Sequence, residues 1–113
     1  MSDGCIFCKI INGEFRTEFV AQTERAVAFN DISPVAPTHV LIVPRVHIDA
    51  LRALEDPTLG GELLALARRV ALDAGLENSG FRVLINDGAE AGQSVFHLHF
   101  HVIGGRKLST GIG

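Results

Sequence analysis

The residues with most chemistry in this chain are three histidines in strict alternation, His97-Leu98-His99-Phe100-His101. In a strand, side chains alternate between faces, so the three imidazoles would share one face while Leu98, Phe100 and Val102 fill the other. At a rise of about 3.4 Å per residue the outer two lie roughly 13 Å apart, so all three cannot ligate one ion, although neighbouring pairs could. A lone histidine is usually a hydrogen-bonded or surface residue. Three in register against an apolar back face call for a stronger account, either a metal-binding tract or a row of catalytic imidazoles. Neutral imidazole is a metal ligand, a proton carrier and a nucleophile near pH 7.

Both cysteines fall in Cys5-Ile6-Phe7-Cys8. A redox reading of this spacing wants a strand feeding the motif within a βαβ unit, and the four residues before Cys5 offer none. Half of a metal site, or a pair of incidental thiols, remains.

Elements must position these groups. The spacing predicts a short helix over residues 5–12, ended by Asn12-Gly13, and strands over Thr17–Gln22 and Ala26–Asn30 around a hairpin-sized turn. Asp31-Ile32-Ser33-Pro34-Val35-Ala36-Pro37 reads as a stiff loop, and His39–Val43 as an apolar strand stopped by Pro44. Asp56 is a helix N-cap with Pro57 at the first position, and the helix should run to about Ala74, with Gly75 as its stop. On a helical wheel Leu59, Leu63, Leu66, Ala67, Val70 and Ala74 share one face, widened by Ala71 and Leu64. A stripe this wide suggests burial against two surfaces, a sheet and a second subunit. Phe81–Asn86 and Val95–Ile103 are two further strands. Strands on short connections with one long and one short helix give the α+β class, an antiparallel sheet of about five strands covered by helices.

The chain of 113 residues is expected to be one domain, 1–113. Its apolar fraction of 47% is globular. A formal charge of -3 with scattered Lys and Arg argues against nucleic acid or an anionic membrane as the main partner. No apolar run approaches the roughly 20 residues that span a bilayer, and Met1-Ser2-Asp3-Gly4 does not begin a signal peptide, so a cytoplasmic protein is expected.

The ordered motifs resemble the histidine-triad (HIT) family. His97 to Ile103 matches its signature of histidines alternating with apolar residues. Phe29-Asn30-Asp31-Ile32-Ser33-Pro34 through Pro37-Thr38-His39 resembles its nucleoside-binding stretch. Gly92-Gln93-Ser94-Val95 leads into the triad as in the histidine-triad nucleotide-binding (Hint) branch, and Gly104-Gly105-Arg106 follows it similarly. The likeness runs from about Cys5 to Arg106.

The resemblance implies a homodimer whose sheet continues across the interface, and a purine nucleoside phosphoramidate hydrolase. His99 would attack the α-phosphorus to form a covalent nucleotidyl-histidine, with His101 and His39 facing the phosphate and Ser94 serving the leaving group. Gly92 and Gln93 would present backbone N–H groups to phosphate oxygens. Asp31 would accept the ribose hydroxyls, Phe7, Ile10, Phe29 and Ile32 would line the base pocket, and Asn86 would reach the ribose or phosphate. Cys5, Cys8, His47 and His97 would form a structural zinc site of the Cys₂His₂ type, as in bacterial relatives, which removes His97 from catalysis. Two other functions fit the same motifs: a dinucleoside polyphosphate hydrolase, and a non-catalytic zinc- and nucleotide-binding interaction module. The C-terminal Leu108-Ser109-Thr110-Gly111-Ile112-Gly113 lacks the Trp-Pro-Pro ending of many Hint-branch members, a segment implied to shape the leaving-group side.

Overall fold

Asp56-Pro57 starts the long helix α2, Pro57–Asp73, as the sequence predicts. The Asp56 carboxylate accepts the N–H groups of Thr58 and Leu59 at 2.9 and 3.3 Å, satisfying donors that the helix leaves without partners. The helix ends in a Schellman turn: Gly75, at φ +79°, donates to the Leu72 carbonyl, and the Leu76 N–H reaches back to Ala71. Leu59, Leu63, Leu66, Ala67, Val70 and Ala71 are its buried face. Leu64 is 55% exposed and Ala74 also faces outward, so the buried stripe is narrower than the helical wheel suggests.

In the computed structural model, which describes residues 4–111, α2 packs on a five-stranded antiparallel sheet. Its strands are β1 (Ala21–Gln22), β2 (Ala26–Asn30), β3 (Thr38–Pro44), β4 (Phe81–Ile85) and β5 (Phe100–Gly104), in the order β1-β2-β3-β5-β4. The short helix α1 (Ile6–Ile11) covers the opposite face. Met1, Ser2 and Asp3, and Ile112 and Gly113 of the C-terminal segment, lie outside the described residues.

Two cores follow from strand alternation. Ala26, Ala28, Val40, Ile42, Leu98, Phe100 and Val102 pack against α2, while Val27, Phe29, Leu41 and Val43 pack against Phe7 and its neighbours. Strands β2 and β3 are therefore apolar on both faces. Each fully buried Leu or Ile here contributes about 1.5–3 kcal/mol.

The first and last expected strands are shorter than the sequence suggests. Only Ala21 and Gln22 of the 17–22 segment pair with β2. The last strand begins at Phe100, not Val95: Phe100 sits opposite Ile42 and Ile85 at the final register positions, where β4 ends, while β3 continues to Pro44 paired only with β2. The Pro44 carbonyl is taken by the His97 ring at 2.9 Å, and the Leu98 N–H is diverted to the Ile48 carbonyl at 2.6 Å. His97 and His99 thus precede the strand. Leu98 still packs with Phe100 and Val102 in the α2 core, so the alternation persists in the packing.

Candidate functional site

The fold divides the histidines between two adjoining centres. Cys5 caps α1, its sulfur accepting the Cys8 N–H at 3.3 Å, and this turn lays both sulfurs against the loops that follow β3 and precede β5. Cys8 Sγ lies 3.2 Å from His47 Nδ1 and 3.5 Å from His97 Nδ1, and Cys5 Sγ lies 3.3 Å from His97 Nδ1. The four donor atoms fall within 4.8 Å of one another, close enough to hold one metal ion. The chemistry of the set fits zinc. Bond lengths of about 2.3 Å to sulfur and 2.0–2.1 Å to nitrogen give tetrahedral S···N edges of roughly 3.5 Å. Each imidazole turns Nδ1 toward the sulfurs and is fixed through Nε2, which donates to Pro44 O at 2.9 Å in His97 and to Asp49 Oδ1 at 2.7 Å in His47.

The second centre is a cavity of about 750 Å³, of a size that suits a small ligand. Phe7, Ile10, Phe29, Asp31, Ile32, Asn86, Gly92, Ser94, His39, His99 and His101 all line it. Sheet register explains the convergence. Phe29 lies opposite Leu41, which lies opposite His101, forming a row on the α1 face. His39 faces Ile103, two residues along from His101, so the two imidazoles are diagonal neighbours that long side chains can bridge. The Phe7 ring stands edge-on to Phe29 and to His99, with centroids 5.5 and 5.1 Å away. Ile32 is a rim residue, 96% exposed.

Hydrogen bonds assign the tautomers. The Val35 N–H donates to His39 Nδ1 at 3.1 Å, so the neutral His39 ring carries its proton on Nε2. That N–H donates to His101 Nδ1 at 2.9 Å, with Asp31 Oδ2 also near at 3.3 Å. The proton of His101 must then sit on Nε2, the one buried side-chain polar atom without a partner among the described residues. His99 is held the other way round. Its Nδ1–H donates to the His97 carbonyl at 2.8 Å, leaving the Nε2 lone pair without a hydrogen-bond partner among the described residues. Burial pulls the His99 pKa below the usual imidazole range, and the bond to His97 only partly opposes this. Burial, then the neighbouring His99 and His39, push His101 down to about 4. Both rings are neutral at pH 7: one is a base with a free lone pair, the other a donor waiting for an acceptor.

One expected role does not match the geometry. The Gly92 N–H donates to Ala89 O and the Gln93 N–H to Gly88 O, both at 3.0 Å, so neither is available to a phosphate. The Ala89–Ala91 turn consumes them, and the Gln93 side chain is buried away from the cavity. The following N–H, that of Ser94, has no such partner among the described residues. Sequence reasoning also missed Phe15, Thr17 and Leu41 in the cavity wall. Leu41 was legible, being two residues from His39 on the same face of β3. Phe15 and Thr17 flank Arg16, whose φ of +54° makes a turn that no periodicity signals.

Comparison with known proteins gives the family. The HIT domain model matches residues 12–108. The chain is 37% identical to a purine nucleoside phosphoramidase of Escherichia coli, covering 96% of this chain and 92% of that one. It is 43% identical to protein HitA of Neisseria gonorrhoeae, over 90% and 96% of the two chains. Among solved structures, a HIT family hydrolase from Clostridium thermocellum superposes with a TM-score of 0.93 at 38% identity, covering 97% of both chains. With the family model spanning most of its length, this chain belongs to the HIT domain family.

Proposed function

We propose that the protein hydrolyses purine nucleoside 5′-phosphoramidates through a nucleotide covalently held on His99. The observation that carries this reading is the opposed pair of tautomers in one cavity, a His99 Nε2 lone pair and a His101 Nε2–H that has no partner among the described residues. The Escherichia coli relative named for the same activity supports it.

In the first step His99 Nε2 attacks the α-phosphorus and the P–N bond breaks. The amine leaves with a proton delivered from the Ser94 side, either the hydroxyl or a water it holds. His101 Nε2–H donates to a non-bridging oxygen as its charge grows, a role that matters most in the transition state. His39 holds the His101 ring in the required tautomer. In the second step water attacks phosphorus and gives its proton back to the Ser94 side, replacing the one the amine took, the bond to His99 breaks, and the nucleoside monophosphate departs. Asp31 accepts from the ribose hydroxyls, and Phe7, Ile10, Phe29 and Ile32 enclose the base. Asn86 lies on the ribose or phosphate side.

Zinc would be held by Cys5, Cys8, His47 and His97. When bound, it staples α1 to the two loops and takes no part in the displacement. The subunits pair as a homodimer across β4, the longer of the two edge strands, which carries the exposed Phe81.

Charge distinguishes this activity from polyphosphate hydrolysis. Among the described residues no Lys or Arg lines the cavity. The nearest past the triad, Arg106, is engaged with the Val35 and Lys107 carbonyls, both at 2.9 Å. A polyphosphate leaving group wants cationic partners, whereas an amine needs only a proton. Adenosine or guanosine phosphoramidates should therefore have a much larger kcat/KM than dinucleoside polyphosphates. Equal or reversed values would assign the protein to the polyphosphate hydrolases.

A further inference from the structure

Gln93 is 4% exposed, although Gly92 and Ser94 on either side of it are exposed. Its amide is fully engaged. Oε1 accepts the Gly88 N–H at 2.8 Å, while Nε2 donates to the Asp49 carbonyl at 2.8 Å and to the Val95 carbonyl at 3.1 Å. Its backbone N–H returns to Gly88 O at 3.0 Å, so Gly88 is gripped by both the main chain and the side chain of one residue. Across the gap, Arg52 binds Asp87 through its N–H and Nε, each at 2.8 Å. These bonds tie the 87–95 loop to the 45–53 loop. The same Asp49 whose carbonyl takes the Gln93 amide uses its carboxylate to orient His47.

Ser94 is in a different condition. It lines the cavity, is exposed, and its hydroxyl makes no hydrogen bond among the described residues. Its place is therefore set by its two neighbours, and the Gln93 amide fixes both: it is part of one and binds the carbonyl of the other. We propose that Gln93 is the positioning residue of the leaving-group side, holding Ser94 beside His99 without touching substrate. The proposal rests on the reading of Ser94 as the group that serves the departing amine. An unbranched primary amide is what the place requires, with one acceptor for Gly88 and two donors for the carbonyls. A carboxylate lacks the donors, and an alkyl chain lacks all three contacts and strands buried backbone groups.

The test uses two adenosine 5′-phosphoramidates, one of an aliphatic amine and one of an aromatic amine, the better leaving group. Wild type, Gln93→Leu, Ser94→Ala and the double variant are compared by kcat/KM, which reports P–N cleavage. Displacing a catalytic group by about 1 Å costs on the order of 100-fold. Gln93→Leu should accordingly lose on the order of 10- to 100-fold with the aliphatic amine and much less with the aromatic one. AMP affinity should hold, and the double variant should be no worse than the poorer single. Equal losses for both amines, multiplying losses in the double variant, or an unchanged Gln93→Leu would overturn the proposal. If Gln93→Leu does not fold, Gln93→Glu, which keeps the acceptor for Gly88, carries the same comparison. Hydrogen exchange separates this idea from the reading beneath it. A wild type that cleaves neither compound refutes the phosphoramidase. The clamp then stands if the Gly88 amide is protected in wild type, and falls if it exchanges as freely as an open loop.

Discussion

His101→Leu separates what the fold needs from what the chemistry needs. Among the described residues His101 Nε2–H is buried without a partner, a condition that costs about 1–3 kcal/mol. Leucine removes that atom and keeps a side chain of similar volume opposite Leu41 and Leu84. The substitution also breaks the hydrogen bond from His39, which contributes about 0.5–1.5 kcal/mol. The His39 N–H keeps an alternative acceptor in Asp31 Oδ2, 3.3 Å away. The balance leaves stability unchanged or raised by about 1 kcal/mol, a Tm shift of roughly +4 °C for a domain of this size. Activity should move the opposite way. Loss of one preorganised donor to developing charge costs about 3–4 kcal/mol, 100- to 1,000-fold in kcat. Thermal melts beside kcat/KM for an adenosine phosphoramidate read both. A Tm lowered by more than about 8 °C would mean the imidazole is needed for folding, and a loss below threefold would remove it from the reaction.

Further expectations follow from the same geometry. Burial holds His101 at about 4 in the folded state, faced by His99, His39 and Asp31, whereas a histidine in the unfolded chain titrates near 6.5. Between those values the unfolded chain binds the extra proton, so this group makes stability fall as pH drops from about 6.5 toward 4. Urea midpoints across that window should show the slope, and it should be shallower in His101→Leu. Replacing Cys5 and Cys8 by Ala should empty the metal site, lower Tm by roughly 10 °C if zinc is present at about 100 times its Kd, and spare much of the turnover. Elemental analysis finding no metal in wild type from zinc-replete medium would contradict the site. Light scattering should give twice the 12.1 kDa chain mass at micromolar concentration, and a monomer would contradict the pairing across β4.

How far the molecule was legible depended on whether a residue's neighbours were local. Asp56, Pro57 and Gly75 act within one helical turn, and both ends of α2 stand where their chemistry puts them. The alternation of His97, His99 and His101 with apolar residues sorts the faces correctly, because the extended alternation persists in the packing of Leu98, Phe100 and Val102 even ahead of β5. Contacts between segments were less visible. The ladder of β5 starts late because the Leu98 N–H goes to the Ile48 carbonyl and the His97 ring takes the Pro44 carbonyl, and Leu64 lies outside the contact that buries its neighbours on α2. Gln93 was assigned to phosphate through its backbone, whereas it closes a loop whose shape depends on Gly88 and Gly92 at φ +96° and +97°. A motif of glycines marks that such a loop exists; which N–H groups it leaves open depends on how the loop folds back on Gly88 and Ala89, and the Gln93 side-chain bond to Asp49, distant in sequence, is not legible at all.

The central claim is that His99 Nε2, and no other atom, takes the nucleotide from its leaving group. The direct measurement is an intact-protein mass spectrum after mixing the enzyme with an adenosine phosphoramidate and quenching in base, where a phosphorus–nitrogen bond to histidine survives. Wild type should carry one added adenylyl group per chain, with fragmentation placing it on His99. His99→Ala should show none, while binding AMP nearly as well as wild type. Turnover with no adduct at any time, or an adduct that persists in His99→Ala, would contradict the mechanism.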